Sequence, residues 1–151
     1  MQPKDLLKKA EKIAPNLSLK NIHLWKSNCE RDISFKPKKA EMNIQIDTKI
    51  LDSTDKKFVP ISCHFNIIGT DIEKNKKAIQ LDFTFCVIYS IRNDLKANKA
   101  DLEAFASTNA IFNVWPFARE HVQNIIVKMD LPAFVLPTIT IGQLVNIVIK
   151  K

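Results

Sequence analysis

The side chains that most often carry chemistry are few in this sequence and far apart. Three histidines, His23, His64 and His121, and three cysteines, Cys29, Cys63 and Cys86, are scattered over 151 residues. No histidine stands at ligand spacing from a cysteine or another histidine. Each therefore reads as a surface or hydrogen-bonded residue rather than a metal ligand. An odd, scattered set of cysteines fits reduced structural thiols better than a disulfide framework. Arg119-Glu120-His121 is the densest polar cluster, but consecutive helical residues point in different directions and do not converge on one reacting atom. A structural part is expected instead, with Arg119 pairing a carboxylate across an interface in the bidentate geometry that guanidinium favours. Gly69 and Gly142 are the only glycines, too few for a phosphate-cradling loop or a dinucleotide fingerprint. No nucleophile elbow and no zinc-protease motif occur. The expectation is a protein that is not an enzyme and uses no metal or cofactor.

What remains is surface. Asn113 to Val122 places Pro116 inside a strongly amphipathic helical pattern. Leu131-Pro132-Ala133-Phe134-Val135-Leu136-Pro137 then leaves that helix as a short apolar loop held by prolines. Trp115, at helical spacing with its apolar neighbours, is expected in the core. Phe134 and Leu136 have two readings, anchors of the loop or a contact surface for apolar polypeptide, and the residues alone do not choose.

These segments need a scaffold. A short helix is expected over about 4–14, where Leu6, Leu7, Ala10, Ile13 and Ala14 recur at helical spacing and Pro15 ends it. Four strands follow. The first spans about 19–35, with a phase change near Ser27-Asn28 that suggests a bulge and with Ile33 and Phe35 on one face. The second, about 40–51, alternates strictly: Met42, Ile44, Ile46, Thr48 and Ile50 against Glu41, Asn43, Gln45, Asp47 and Lys49. The third, about 58–71, turns Ile61, Cys63, Phe65 and Ile67 one way. The fourth, about 78–91, does the same with Ile79, Leu81, Phe83, Phe85, Val87, Tyr89 and Ile91. Turn-rich pieces at 52–56 and 73–76 suit hairpin connections, so the sheet is antiparallel with one face buried.

After Asn98 the period becomes helical for roughly 29 residues, about 43 Å if straight, with Pro116 expected to kink it. The piece from 138 to 151 reads as a short second helix, although its β-branched composition also suits a strand. The fold class is α+β: a four-stranded antiparallel sheet with a long kinked helix and a short C-terminal helix on one face. Such a sheet is thin, and the apolar stripe on the helix is wider than one sheet face needs. Self-association through that helix would bury the excess.

The net charge is +7, yet the lysines fall in small groups mixed with acids, mostly at expected turns. Solvated lysines explain this better than a nucleic-acid footprint, which no motif supports. The N-terminal residues lack the apolar core of a secretory signal, and no apolar run approaches the roughly 18 residues of a membrane span. A cytoplasmic location without a membrane partner is expected.

Trp115-Pro116-Phe117-Ala118-Arg119-Glu120 resembles the P-Y-A-R-E helix motif of the SecB family of export chaperones, with phenylalanine for the usual tyrosine. Residues 129–137 look like the family's Pro-rich crossover loop, and Arg31-Asp32-Ile33-Ser34-Phe35 resembles its first-strand K-D-I-S-F. The resemblance covers roughly residues 22–149 and divides the chain into an N-terminal extension, 1–18, and a SecB-like domain, 19–151. It implies an ATP-independent holdase, a homotetramer built as a dimer of dimers through the long helices. Its partners would be unfolded preproteins, or an antitoxin in the toxin–antitoxin branch of the family. By position it assigns a client groove to Leu131, Phe134, Leu136, Ile141 and Leu144. Helix or oligomer packing falls to Phe112, Trp115, Arg119 and Val122, and docking of the SecA motor to Asp32. Lys36 stands where the family has a second first-strand acid, and a sequence closing on Lys150-Lys151 is expected to lack the family's acidic tail. A basic chain of this kind is expected to attract acidic clients and to repel a basic docking partner. The extension would cover a groove or be a simple appendage.

Overall fold

The computed structural model describes residues 2–36, 39–92, 95–140 and 142–144. A helix α1 (Pro3–Ile13) and a single 3-10 turn lead into strand β1 (Leu17–Arg31). Strands β2 (Ala40–Ile50), β3 (Phe58–Asp71) and β4 (Lys76–Ile91) follow, then helices α2 (Lys99–Phe105) and α3 (Ile111–Lys128). The four strands form one antiparallel sheet in the order β1-β4-β3-β2.

The alternating strands lie where their period puts them. Ile61, Cys63, Phe65 and Ile67 of β3 and Ile79, Leu81, Phe83, Phe85, Val87 and Tyr89 of β4 are buried on the face that α3 covers. The two tight connections explain themselves. Lys57 N–H donates to the Asp55 carboxylate between β2 and β3. Between β3 and β4 the Asp71 carboxylate accepts from Glu73 and Lys74 N–H, while Asn75 takes the left-handed conformation at φ 49°. The connection from β1 to β2 is different in kind, because it carries the chain to the opposite edge of the sheet. That Greek-key arrangement was not foreseen from the hairpin-like spacings.

Strand β1 departs most from expectation. It ends at Arg31 rather than running to residue 35. The Asp32 carboxylate accepts from Ser34 N–H at 2.9 Å and from the Ser34 hydroxyl at 2.7 Å, and Phe35 N–H donates to the Asp32 carbonyl at 3.0 Å. This side-chain-closed turn outcompetes the strand ladder. It separates Ile33, 95% exposed, from Phe35, which is buried. Within the strand two bulges occur, between Leu19 and Asn21 and between Leu24 and Lys26, not one at Ser27-Asn28. Each extra residue shifts the alternation by one. As a result Leu17, Leu19, Ile22, Leu24, Ser27, Cys29 and Arg31 all lie opposite helix-facing residues of β4.

The long helix is interrupted, but not at proline. Ala106–Ala110 forms a π turn between α2 and α3, and α3 runs through Pro116. Thr108 Oγ1 donates to the Ala104 carbonyl at 2.7 Å and Ser107 Oγ to the Glu103 carbonyl at 2.9 Å, drawing carbonyls away from the backbone ladder. Pro116 and Phe112, whose carbonyl loses its partner to the proline, both lie on the exposed side, so the lost bond is not buried in the core. Toward the C-terminus, Thr140 and Gln143 form a reciprocal capping box: Thr140 N–H to Gln143 Oε1 at 2.8 Å, and Gln143 N–H to Thr140 Oγ1 at 3.2 Å. Residues 142–144 are helical, in keeping with a helix there, and the rest of the expected 138–151 helix lies outside the described residues.

Helix α1 is packed, not pendant. Leu6, Ala10 and Ile13 are buried, and Lys12 Nζ reaches the buried Asp101 carboxylate of α2 at 2.8 Å.

Candidate functional site

Helix α3 ends in a Schellman motif. Leu131 N–H donates to the Ile126 carbonyl at 3.2 Å and Asp130 N–H to the Val127 carbonyl at 3.1 Å, with Asp130 left-handed at φ 53°. An aspartate in place of the usual glycine accepts this conformation at modest cost. The motif reverses the chain, so residues 131–137 run back beside the helix that produced them.

Three side chains then pin the loop and its hinge. Trp115 Nε1 donates to the Pro137 carbonyl and Arg119 Nε to the Leu136 carbonyl, both at 2.7 Å. At the hinge, Arg31 Nη1 donates to the Met129 carbonyl at 2.5 Å and Nη2 to the Phe35 carbonyl at 2.7 Å. The cation thereby caps the negative end of α3 and ties it to the turn after β1. Beneath the loop, Leu136 and Leu144 are both 0% exposed.

What the pinned loop leaves open is an apolar cavity of about 170 Å³ between α3, the loop and the start of β2. Leu131, Pro132 and Phe134 of the loop line it together with Ile126 of α3, Ile79 of β4, Met42 of β2 and Phe35. Gly69 lets two of these, Met42 and Ile79, pack close: a Cβ there would stand 3.0 Å from Met42 Sδ and 3.1 Å from Ile79 Cβ. Lys39, exposed, also lines it.

The assigned groove residues therefore divide. Leu131 and Phe134 line the cavity; Leu136 and Leu144 are buried beneath the loop as its anchors; Ile141 lies outside the described residues. Sequence reasoning missed Phe35, Met42, Ile79 and Ile126, because they come from four separate elements. The sequence signal nearest to them was the Ile126–Leu131 spacing of a Schellman contact. Of the residues assigned to helix or oligomer packing, Trp115 and Val122 are buried within the chain, Trp115 against Phe65 of β3. Phe112, 39% exposed, is on the surface with Phe117, 45% exposed. Within the chain, Arg119 Nε meets the Leu136 carbonyl. Glu120 turns to Asn124 and His121 to the Ser27 hydroxyl at 3.0 Å, so the three neighbours go to three different partners. His121 also meets the Phe83 ring edge-on at 4.8 Å, and burial lowers its pKa below the ordinary histidine value.

Asp32 is already engaged. One carboxylate oxygen takes the Ser34 bonds and the other takes Lys76 Nζ at 3.0 Å. The Ser34 hydroxyl and then Lys76 hold its pKa well below the usual carboxylate range. Cys63, buried in the sheet, has its thiol pushed up to about 12 by desolvation and then by neighbouring Cys86. Among the described residues no cluster of three or more metal-ligating side chains occurs, and no helix is long and apolar enough to cross a membrane.

One antiparallel sheet, a long interrupted helix across one face and a pinned loop beyond it define an open-faced α+β scaffold. That scaffold is the SecB-like fold. A SecB-like chaperone of Mycobacterium tuberculosis, solved in complex with a ChAD peptide from the HigA1 antitoxin, superposes with a TM-score of 0.75. The match covers 91% of this chain and 98% of that one at 16% identity. A Streptococcus agalactiae protein of unknown function matches with a TM-score of 0.50 at 8% identity, covering 81% of this chain and 97% of that one. No family model matches the sequence, and no curated protein matches it.

Proposed function

We propose that this protein is an ATP-independent holdase that binds non-native polypeptide in the cavity between the loop and β2. The observation that carries the reading is the division of labour in the loop. Arg31, Trp115 and Arg119 fix its backbone, so Leu131 and Phe134 present apolar surface from a rigid frame. Preformed apolar surface without converging polar groups suits sequence-tolerant capture, with affinity gained by engaging several sites at once. Assembly as a homotetramer, a dimer of dimers, would supply those sites. Phe112 and Phe117 on the outside of α3, with Leu19 and Leu24 on the uncovered part of β1, are the surface it would bury.

Within that reading we favour a dedicated client, an antitoxin, over export clients handed to SecA. The solved SecB-like neighbour holds an antitoxin peptide, and Asp32 here is neutralised by Lys76 rather than free to meet a basic partner. The test is refolding of a slow-folding, chemically unfolded protein with stoichiometric amounts of this one and no nucleotide. Delayed refolding is expected. Unimpeded refolding of general clients, with rescue of an antitoxin encoded beside it, would narrow the activity to one partner. Failure of both would remove the holdase reading.

A further inference from the structure

Of the two edges of the sheet, β2 is the one whose hydrogen-bonding rhythm is unbroken. It pairs with β3 from Ala40 to Ile50 without a register shift, whereas β1, at the other edge, carries two bulges. The register fixes which backbone groups of β2 are free. Leu51 N–H donates to the Pro60 carbonyl at 2.9 Å beyond one end, and Ile72 N–H to the Lys39 carbonyl at 3.4 Å beyond the other. Both contacts fall on odd-numbered positions of this segment. In an antiparallel ladder the odd residues between them therefore direct their N–H and C=O groups to β3. Those of Met42, Ile44, Ile46 and Thr48 point the other way, off the sheet. Among the described residues nothing hydrogen-bonds to them.

The side chains of the same four residues lie on the helix side of the sheet, where Ile46 is buried and Met42 and Ile44 pack half-buried against the core. A cavity stands at each end of this row. Met42 lines the apolar one with Leu131 and Phe134, and Thr48 lines a larger, more polar recess of about 720 Å³ with Leu102 and Ser107. The two positions lie about 20 Å apart along the strand, at about 3.3 Å per residue. A chain laid beside β2 in extended conformation satisfies the free donors and acceptors and turns every second side chain toward the cavities. A helix does neither, because its backbone groups are already paired within it. We infer that a client is held as an added strand on β2: an extended segment of roughly seven residues or more, apolar at alternate positions and free of proline where its N–H groups meet β2. The inference rests on the holdase reading and names the kind of segment that site takes. Affinity then comes largely from backbone groups that every polypeptide has, and side chains are sorted only by their alternate fit into the cavities.

The probe is a short fluorescein-labelled synthetic peptide alternating leucine or phenylalanine with threonine, flanked by lysines for solubility and read by anisotropy on the full chain. Two further versions carry backbone N-methyl groups, one at the apolar positions and one at the threonines, so that each lacks donors along one edge only. The parent is expected to bind. One methylated version should weaken by about tenfold or more and the other should not. Loss with the apolar set means a segment antiparallel to β2, and loss with the threonine set a parallel one. In hydrogen exchange the amides of Ile44, Ile46 and Thr48 should slow on binding by about tenfold or more, well beyond any change at Asn43 and Gln45, which the β3 ladder already protects. Thr48→Pro removes a free donor without touching that ladder and should weaken the peptide to a similar extent, with circular dichroism reporting that it is folded. The methylated peptides test the wild-type chain whether or not that variant folds. The inference is overturned if the parent peptide does not bind, if both methylated versions bind as it does or both fail, or if exchange at Ile44, Ile46 and Thr48 is unchanged. Arrest of client refolding separates the two readings. Arrest with no edge preference would leave the holdase standing and remove the added strand, whereas neither arrest nor peptide binding would remove both.

Discussion

Arg119 of α3 donates its Nε hydrogen to the carbonyl of Leu136 at 2.7 Å, joining the long helix to a residue that is itself fully buried. Within the chain this guanidinium serves as a backbone clamp. Arg119→Met keeps the aliphatic stem and removes the donor. It should cost on the order of 1.5 kcal/mol in denaturant unfolding and make the 131–137 loop the first site of limited proteolysis. Unchanged protease sensitivity would mean the loop is held without it.

Trp115 offers two separable contributions. Trp115→Phe retains most of the packing but loses the bond to the Pro137 carbonyl, an expected loss of about 1 kcal/mol. Trp115→Ala also empties the space against Phe65, whose ring lies 6.2 Å away, and should cost about 3–5 kcal/mol. Equal losses in the two variants would show that the hydrogen bond, not the ring, stabilises the fold.

The loop separates function from stability within three residues. Phe134→Asp should weaken client binding by about tenfold with little change in melting, since its side chain faces the cavity. Leu136→Asp should unfold or severely destabilise the protein by burying an unpaired carboxylate. If Leu136→Asp melts like the wild type, the anchor assignment is wrong.

His121 makes stability depend on pH in a definite direction. Burial depresses its folded pKa below the unfolded value of 6.5. Its contribution is therefore fully present above pH 6.5 and is lost as pH falls through the folded pKa. Unfolding at neutral and mildly acidic pH should show a steeper loss for the wild type than for His121→Gln. Parallel profiles would exclude His121 as the source.

Lys12 is the partner of the buried Asp101 carboxylate. Lys12→Met should destabilise by about 1–3 kcal/mol, and Lys12→Met with Asp101→Asn should recover part of it, because the unpaired charge is the cost. No recovery in the double variant would locate the effect in α1 packing instead.

The strict alternation of β2, β3 and β4 was legible because one face of each is buried and a period of two leaves no other register. β1 was misjudged for the same reason: two bulges each reset the count, so a single strand reads as one that breaks. The π turn had a local signal, adjacent Ser107 and Thr108, which was outweighed by Pro116, a stronger breaker on paper but one facing water. The cavity was half legible. Leu131 and Phe134 belong to one contiguous apolar loop, whereas Phe35 and Met42 are brought to it by the edge-to-edge crossing from β1 to β2 and Ile79 by β4, which leaves no pattern in composition. Nor does sequence distinguish Leu136 from Phe134, two residues apart in the same loop, since burial depends on the clamps from Trp115 and Arg119.

The double bulge in β1 also bears on what the molecule avoids. An outermost strand of fifteen residues with exposed Leu19, Leu24 and Trp25 would ordinarily serve as a template on which stray extended chains could stack and propagate into fibres. Breaking its hydrogen-bonding rhythm twice leaves no long uninterrupted run of evenly spaced donors and acceptors for a stray strand to copy. The apolar side chains stay available while the backbone beside them is a poor seed for amyloid.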